Sequence, residues 1–135
     1  MIPPPHFQQL ITAALDQPEP QRLLFVFAAA ELPDDATPAQ REAFQRGEGG
    51  TLAPLMCVDK APQDLPGFAA LADEARRAGP PWKMVFAAGL SGRNGQPPQQ
   101  AEIDQALQIM VEAVRDGGFG RFAAYDEAGA PVVFG

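Results

Sequence analysis

The chain has 135 residues, 46% of them hydrophobic and 20% charged, the balance of one globular domain with enough length to bury a core. Ten basic against seventeen acidic side chains give a net charge of −7. That charge disfavours nucleic acid and anionic membranes, whose phosphates need a basic stripe that the scattered lysines and arginines do not form. A single cysteine, Cys57, and a single histidine, His6, exclude an intramolecular disulfide and a Cys/His zinc cluster.

The N-terminal Met-Ile-Pro-Pro-Pro-His has neither the basic nor the apolar part of a signal peptide. The longest apolar run, Leu23 to Ala30, is too short to span a bilayer. The expectation is a single cytoplasmic domain over 1–135. Fifteen prolines and thirteen glycines lie between the apolar runs as punctuation.

Phe7, Leu10, Ile11, Ala14 and Leu15 repeat at helical spacing and predict a helix over about 6–16, closed by Pro18 and Pro20. Leu23 to Ala30 reads as a strand buried on both faces. Thr37-Pro38-Ala39-Gln40 has the composition of a helix start with a capping box, and the helix runs to about Arg46. Gly47, Gly49 and Gly50 then turn the chain into a short second strand within Leu52–Val58, where Pro54 predicts a late start or an edge position.

Asp64 is placed to cap a helix whose apolar face is Leu65, Phe68, Leu71, Ala72 and Ala75, stopped by Gly79-Pro80-Pro81. Trp82 to Leu90 is a third strand, followed by a loop from Ser91 to Pro98. Ile103, Ala106, Leu107, Met110, Val111 and Val114 mark a long fourth helix with Gly117-Gly118 just beyond it. Phe119–Tyr125 and Pro131–Phe134 flank Asp126-Glu127-Ala128-Gly129 and predict a C-terminal β-hairpin.

Strands alternating with helices predict an α/β fold: a mainly parallel or mixed sheet of about five strands with about four helices. The rival is an α+β sheet in which long connections return antiparallel. In a parallel sheet, ligands bind beyond the carboxyl ends of the strands. Those ends carry Glu31, then Asp59 and Lys60, then Ser91, Gly92 and Arg93, which would place both signs of charge around one crevice.

The segment Ser91-Gly92-Arg93-Asn94-Gly95 has the makings of a backbone nest with an arginine arm, suited to a carboxylate or phosphate. It matches neither the P-loop nor the dinucleotide fingerprint. Asp59 and Lys60 would serve as an acid/base pair only if buried. Cys57, within an apolar run, reads as a small buried hydrophobe. Gly89-Leu90-Ser91-Gly92 is not a nucleophile elbow, because no histidine follows it.

Pro18 to Phe27, Glu31 to Thr37 and Leu55-Met56-Cys57-Val58-Asp59-Lys60 resemble a group of small proteobacterial proteins that often carry the label "ribonucleotide reductase subunit alpha". The resemblance implies a free-standing bacterial cytoplasmic protein. It carries no catalytic residue, since such a reductase needs a radical cysteine plus a redox pair and this chain has one cysteine.

No catalytic constellation, cofactor motif or metal-ligand set is present in the sequence. The reading leans to a non-enzymatic interaction protein whose acidic surface meets a basic protein partner. The alternatives are a small-molecule site built from Glu31, Asp59, Lys60, Ser91 and Arg93, and a homodimer through the Pro131–Phe134 edge.

Overall fold

The computed structural model describes residues 6–32, 34–46 and 51–132. The predicted glycine turn at 47–50 and the end of the C-terminal arm, including Phe134, lie outside them. The elements in order are α1 (His6–Leu15), β1 (Gln21–Glu31), α2 (Pro38–Gln45), β2 (Thr51–Lys60), α3 (Phe68–Ala78), β3 (Met84–Ser91), α4 (Gln100–Asp116) and β4 (Ala123–Asp126).

The strands form one four-stranded sheet in the order β2-β1-β3-β4, and every neighbouring pair is antiparallel. This corrects the expected parallel or mixed sheet of about five strands. The first reason is α2. It buries no residue and so is not a crossover helix; its segment leads from β1 into a strand that returns beside it.

The second reason is the placement of β1. Strands β2 and β3 run the same way and are joined through α3, as a βαβ pattern requires, but β1 lies between them and opposes both. The predicted Phe119–Tyr125 strand is shortened, because Phe119–Arg121 folds into a 3-10 turn and leaves Ala123–Asp126 to pair, and of the predicted Pro131–Phe134 strand the described residues hold only an isolated bridge at Pro131. The hairpin turn itself forms: Asp126 Oδ1 accepts from the amides of Ala128 and Ala130, and Tyr125 pairs with Pro131.

Side-chain alternation along the central strand builds two cores. Leu23, Phe25 and Phe27 face α1 and α3, packing with Phe7, Ile11, Leu71, Ala72 and Trp82. Leu24, Val26 and Ala28 face α4, packing with Ile103, Leu107, Met110 and Val114. A strand buried on both faces is therefore the middle layer of an α-β-α arrangement. Phe7 anchors α1 through edge-to-face contacts with Phe68 at 5.2 Å and Tyr125 at 5.3 Å.

Local signals explain the element ends. Thr37 and Gln40 form the predicted reciprocal capping box of α2. Asp64 does not cap α3. Pro66 forces Leu65 to extend (φ −106°, ψ 104°), so 62–64 forms a separate 3-10 turn and α3 starts after Gly67. Gly117, at φ 86°, supplies the left-handed residue that ends α4, and the Gly118 amide donates back to the Ala113 carbonyl. Strand β2 is an edge, where Pro54 is tolerated beside a register shift between Phe27 and Ala28. No helix among the described residues is long and apolar enough to cross a membrane.

Candidate functional site

The antiparallel order divides the expected crevice between the two ends of the sheet. Glu31 pairs with Thr51, whereas Asp59 pairs with Leu24 and Ser91 with Gln21. Glu31 lies seven positions beyond Leu24, or about 23 Å at ~3.3 Å per residue. It belongs to the far end, because β1 opposes the strands that carry the others.

Asp59, Lys60, Ser91, Gly92 and Arg93 do share the near end, around the start of β1, but each has its own local role. Asp59 lies on the face of Leu24 and accepts from Arg22 Nε at 2.7 Å, with both side chains largely shielded. Lys60 lies on the opposite face, beside Leu23, and reaches Glu74 on α3 at 2.9 Å. The two neighbours are thus directed apart by the strand's period of two, and neither serves as acid or base to the other. Ser91 Oγ donates to the Gly92 carbonyl.

The loop after β3 is a two-residue hairpin. Asn94 (φ 57°) and Gly95 (φ 75°) occupy its two left-handed positions, and Arg93 and Gln96 exchange backbone hydrogen bonds of 3.0 Å. An Asn-Gly pair is the sequence signal for this turn. Gly92 is required there by close approach: a Cβ would meet the Gln96 carbonyl oxygen at 1.9 Å. The loop's anion-binding capacity is met from within the chain. The Gly95 amide donates to Glu19 Oε2 at 2.8 Å, and the Arg93 guanidinium pairs with Glu102 at 3.0 Å.

Between the end of α1, the Gln17–Pro20 link, the Ala61–Gln63 segment and this hairpin lies a groove of about 580 Å³, within the size range of small-molecule sites. Leu15, Pro18, Pro20, Pro62 and Pro97 supply apolar walls, and Glu19 and Arg22 are its charged residues. Sequence reasoning missed both. In sequence Pro18 and Pro20 read only as the end of a helix, and Arg22 precedes its apolar run rather than following one. The usable signal was the density of proline around 18–20, 62 and 97–98, which marks rigid links at a single place once the strands alternate in direction.

Cys57 is exposed rather than buried, since it sits on edge strand β2 opposite Val26, on the α4 side. Partial burial of its thiol, then the nearby carboxylates of Asp59 and Asp104, raise its pKa, the opposite of what a nucleophilic thiolate needs. No group of three or more metal-ligating side chains occurs among the described residues. Comparison of the chain with protein-family models, with curated proteins and with solved structures found no match.

Proposed function

We propose that this chain is a non-enzymatic, cytoplasmic interaction protein whose acidic surface meets a basic protein partner, and that nucleic acid is not its ligand. One observation carries the reading: the polar groups expected to greet a small ligand at the near end of the sheet are joined to other parts of the chain, while the open surfaces hold unneutralised acid. Lys60, Arg76, Lys83 and Arg93 are in ion pairs.

On α4, Asp104, Glu112 and Asp116 are exposed and form no ion pair with Lys or Arg among the described residues, Arg115 is the helix's one basic residue, and Ile109 is exposed on the same helix. Such a face suits steering and docking of a basic surface. Self-association is the weaker form of the reading, because Pro131 already closes on Tyr125 and the Val132 amide donates to the Ala124 carbonyl beside it. A monomeric sedimentation mass is expected.

The test is affinity capture at low ionic strength with the wild-type chain and with the triple variant Asp104→Asn, Glu112→Gln, Asp116→Asn. The expected result is a basic protein that elutes with salt and is lost from the variant. Capture of nothing, or equal retention by the neutralised face, refutes the proposal.

A further inference from the structure

The two charged residues that line the sheet-end groove share an arrangement that the protein-partner reading does not use. Each side chain is held by one hydrogen bond and keeps its remaining polar atoms unmatched among the described residues. Arg22 donates through Nε to Asp59 Oδ2 at 2.7 Å, which orients the guanidinium and leaves both Nη groups free. Glu19 accepts the Gly95 amide on Oε2 at 2.8 Å, which leaves Oε1 free.

The surroundings reinforce the separation of sign. The groove wall at Ala14 and Leu15 is the carboxyl end of α1, whose partial negative charge favours a cation, as Glu19 does, although the Gln17 amide and side chain already donate to the Ala14 and Ala13 carbonyls. Arg22 offers the planar pair of donors that a carboxylate fits. Between them stand the prolines and Leu15, one of two large hydrophobic side chains exposed among the described residues, at 54%. Exposed apolar surface beside fixed charges is the composition of a ligand groove.

We propose that this groove binds a small zwitterion with an aliphatic body, of the free amino-acid class. Its carboxylate pairs with the Arg22 Nη groups, its ammonium pairs with Glu19 Oε1 in the field of the α1 carboxyl end, and its side chain lies on Leu15 and the prolines. A simple anion is disfavoured, because Glu19 faces the same space. Asp59 acts as a positioning residue that fixes the guanidinium plane. The proposal does not depend on a protein partner at α4.

The probe is leucine, titrated into the isotopically labelled wild-type chain and followed by amide chemical shifts. Saturable shifts centred on Gln21, Arg22 and Gly95 are expected. N-acetylleucine, which lacks the ammonium, and leucinamide, which lacks the carboxylate, should each bind at least tenfold more weakly. Arg22→Gln should weaken leucine by a similar factor while leaving leucinamide unchanged, a pattern that a folding defect does not produce. Absence of saturable shifts up to the solubility limit of leucine overturns the proposal, as does equal binding of either analogue.

Discussion

Replacing Gly92 by alanine perturbs the sheet end through one atom, and its cost follows from the geometry. The new Cβ would sit 1.9 Å from the Gln96 carbonyl oxygen and 2.9 Å from the Gln96 carbonyl carbon and Pro97 Cα, all backbone, where real Cβ contacts do not fall below 3.0 Å. No rotamer relieves a backbone clash, so the hairpin must open by about 1 Å. The bonds at risk are the Arg93–Gln96 pair, the Gly92 amide to the Pro20 carbonyl at 2.8 Å, and the Gly95 amide to Glu19.

Overpacking of about 1–3 kcal/mol, with partial loss of bonds that contribute ~1 kcal/mol each, predicts destabilisation of about 2–4 kcal/mol. With a urea slope of roughly 2 kcal/mol per molar, the midpoint should fall by about 1–2 M. The fluorescence of Trp82, the only tryptophan and 4% exposed, reports it. Gly89→Ala is the control: its Cβ meets only Gln21 Oε1, at an ordinary 3.6 Å, and should move stability by no more than ~0.5 kcal/mol. If Gly92→Ala costs no more than Gly89→Ala, the assignment of Gly92 to close approach is wrong.

Burial raises the pKa of the Tyr125 phenol above its ordinary value, so its contribution is complete below the unfolded-state pKa and is lost as pH climbs through the higher folded value. Tyr125→Phe should therefore flatten the alkaline decline in urea midpoint above about pH 10; parallel curves for the two proteins would contradict this. Phe7→Ala, which removes the ring clamped between Phe25, Phe68 and Tyr125, should cost about 3–5 kcal/mol in urea unfolding. A loss below about 1 kcal/mol would mean that α1 is held by other contacts. Asp104→Asn removes one negative neighbour of the Cys57 thiol and should speed its alkylation at pH 8 by about twofold; an unchanged or slower rate goes against that cause.

Much of the architecture was legible in the amino-acid order, because helix starts, stops and apolar stripes are local chemistry. The spacing from Phe7 to Leu15, the Thr37–Gln40 box, the run from Ile103 to Val114 and the turn at Asp126–Gly129 each specify an element through neighbours a few residues away. The burial of Leu23–Ala28 on both faces was legible too. Strand direction was not, since a doubly buried strand has the same apolar run in a parallel sheet and at the centre of an antiparallel one.

Direction was decided by tertiary structure, and with it the site. The α2 segment buries nothing against the sheet, so β2 returns beside β1 and β3 takes the other side. Glu31 is thereby carried to the far end, while Arg22 and Glu19, which lead into β1, meet the ends of β2 and β3. The sequence alone determined where most helices and strands lie and which side chains are apolar, but not that Phe119–Arg121 turns instead of pairing or that α3 starts after Gly67. Only packing decided which polar residues become neighbours, because pairing between segments far apart in the chain depends on how the whole core closes and not on any local preference.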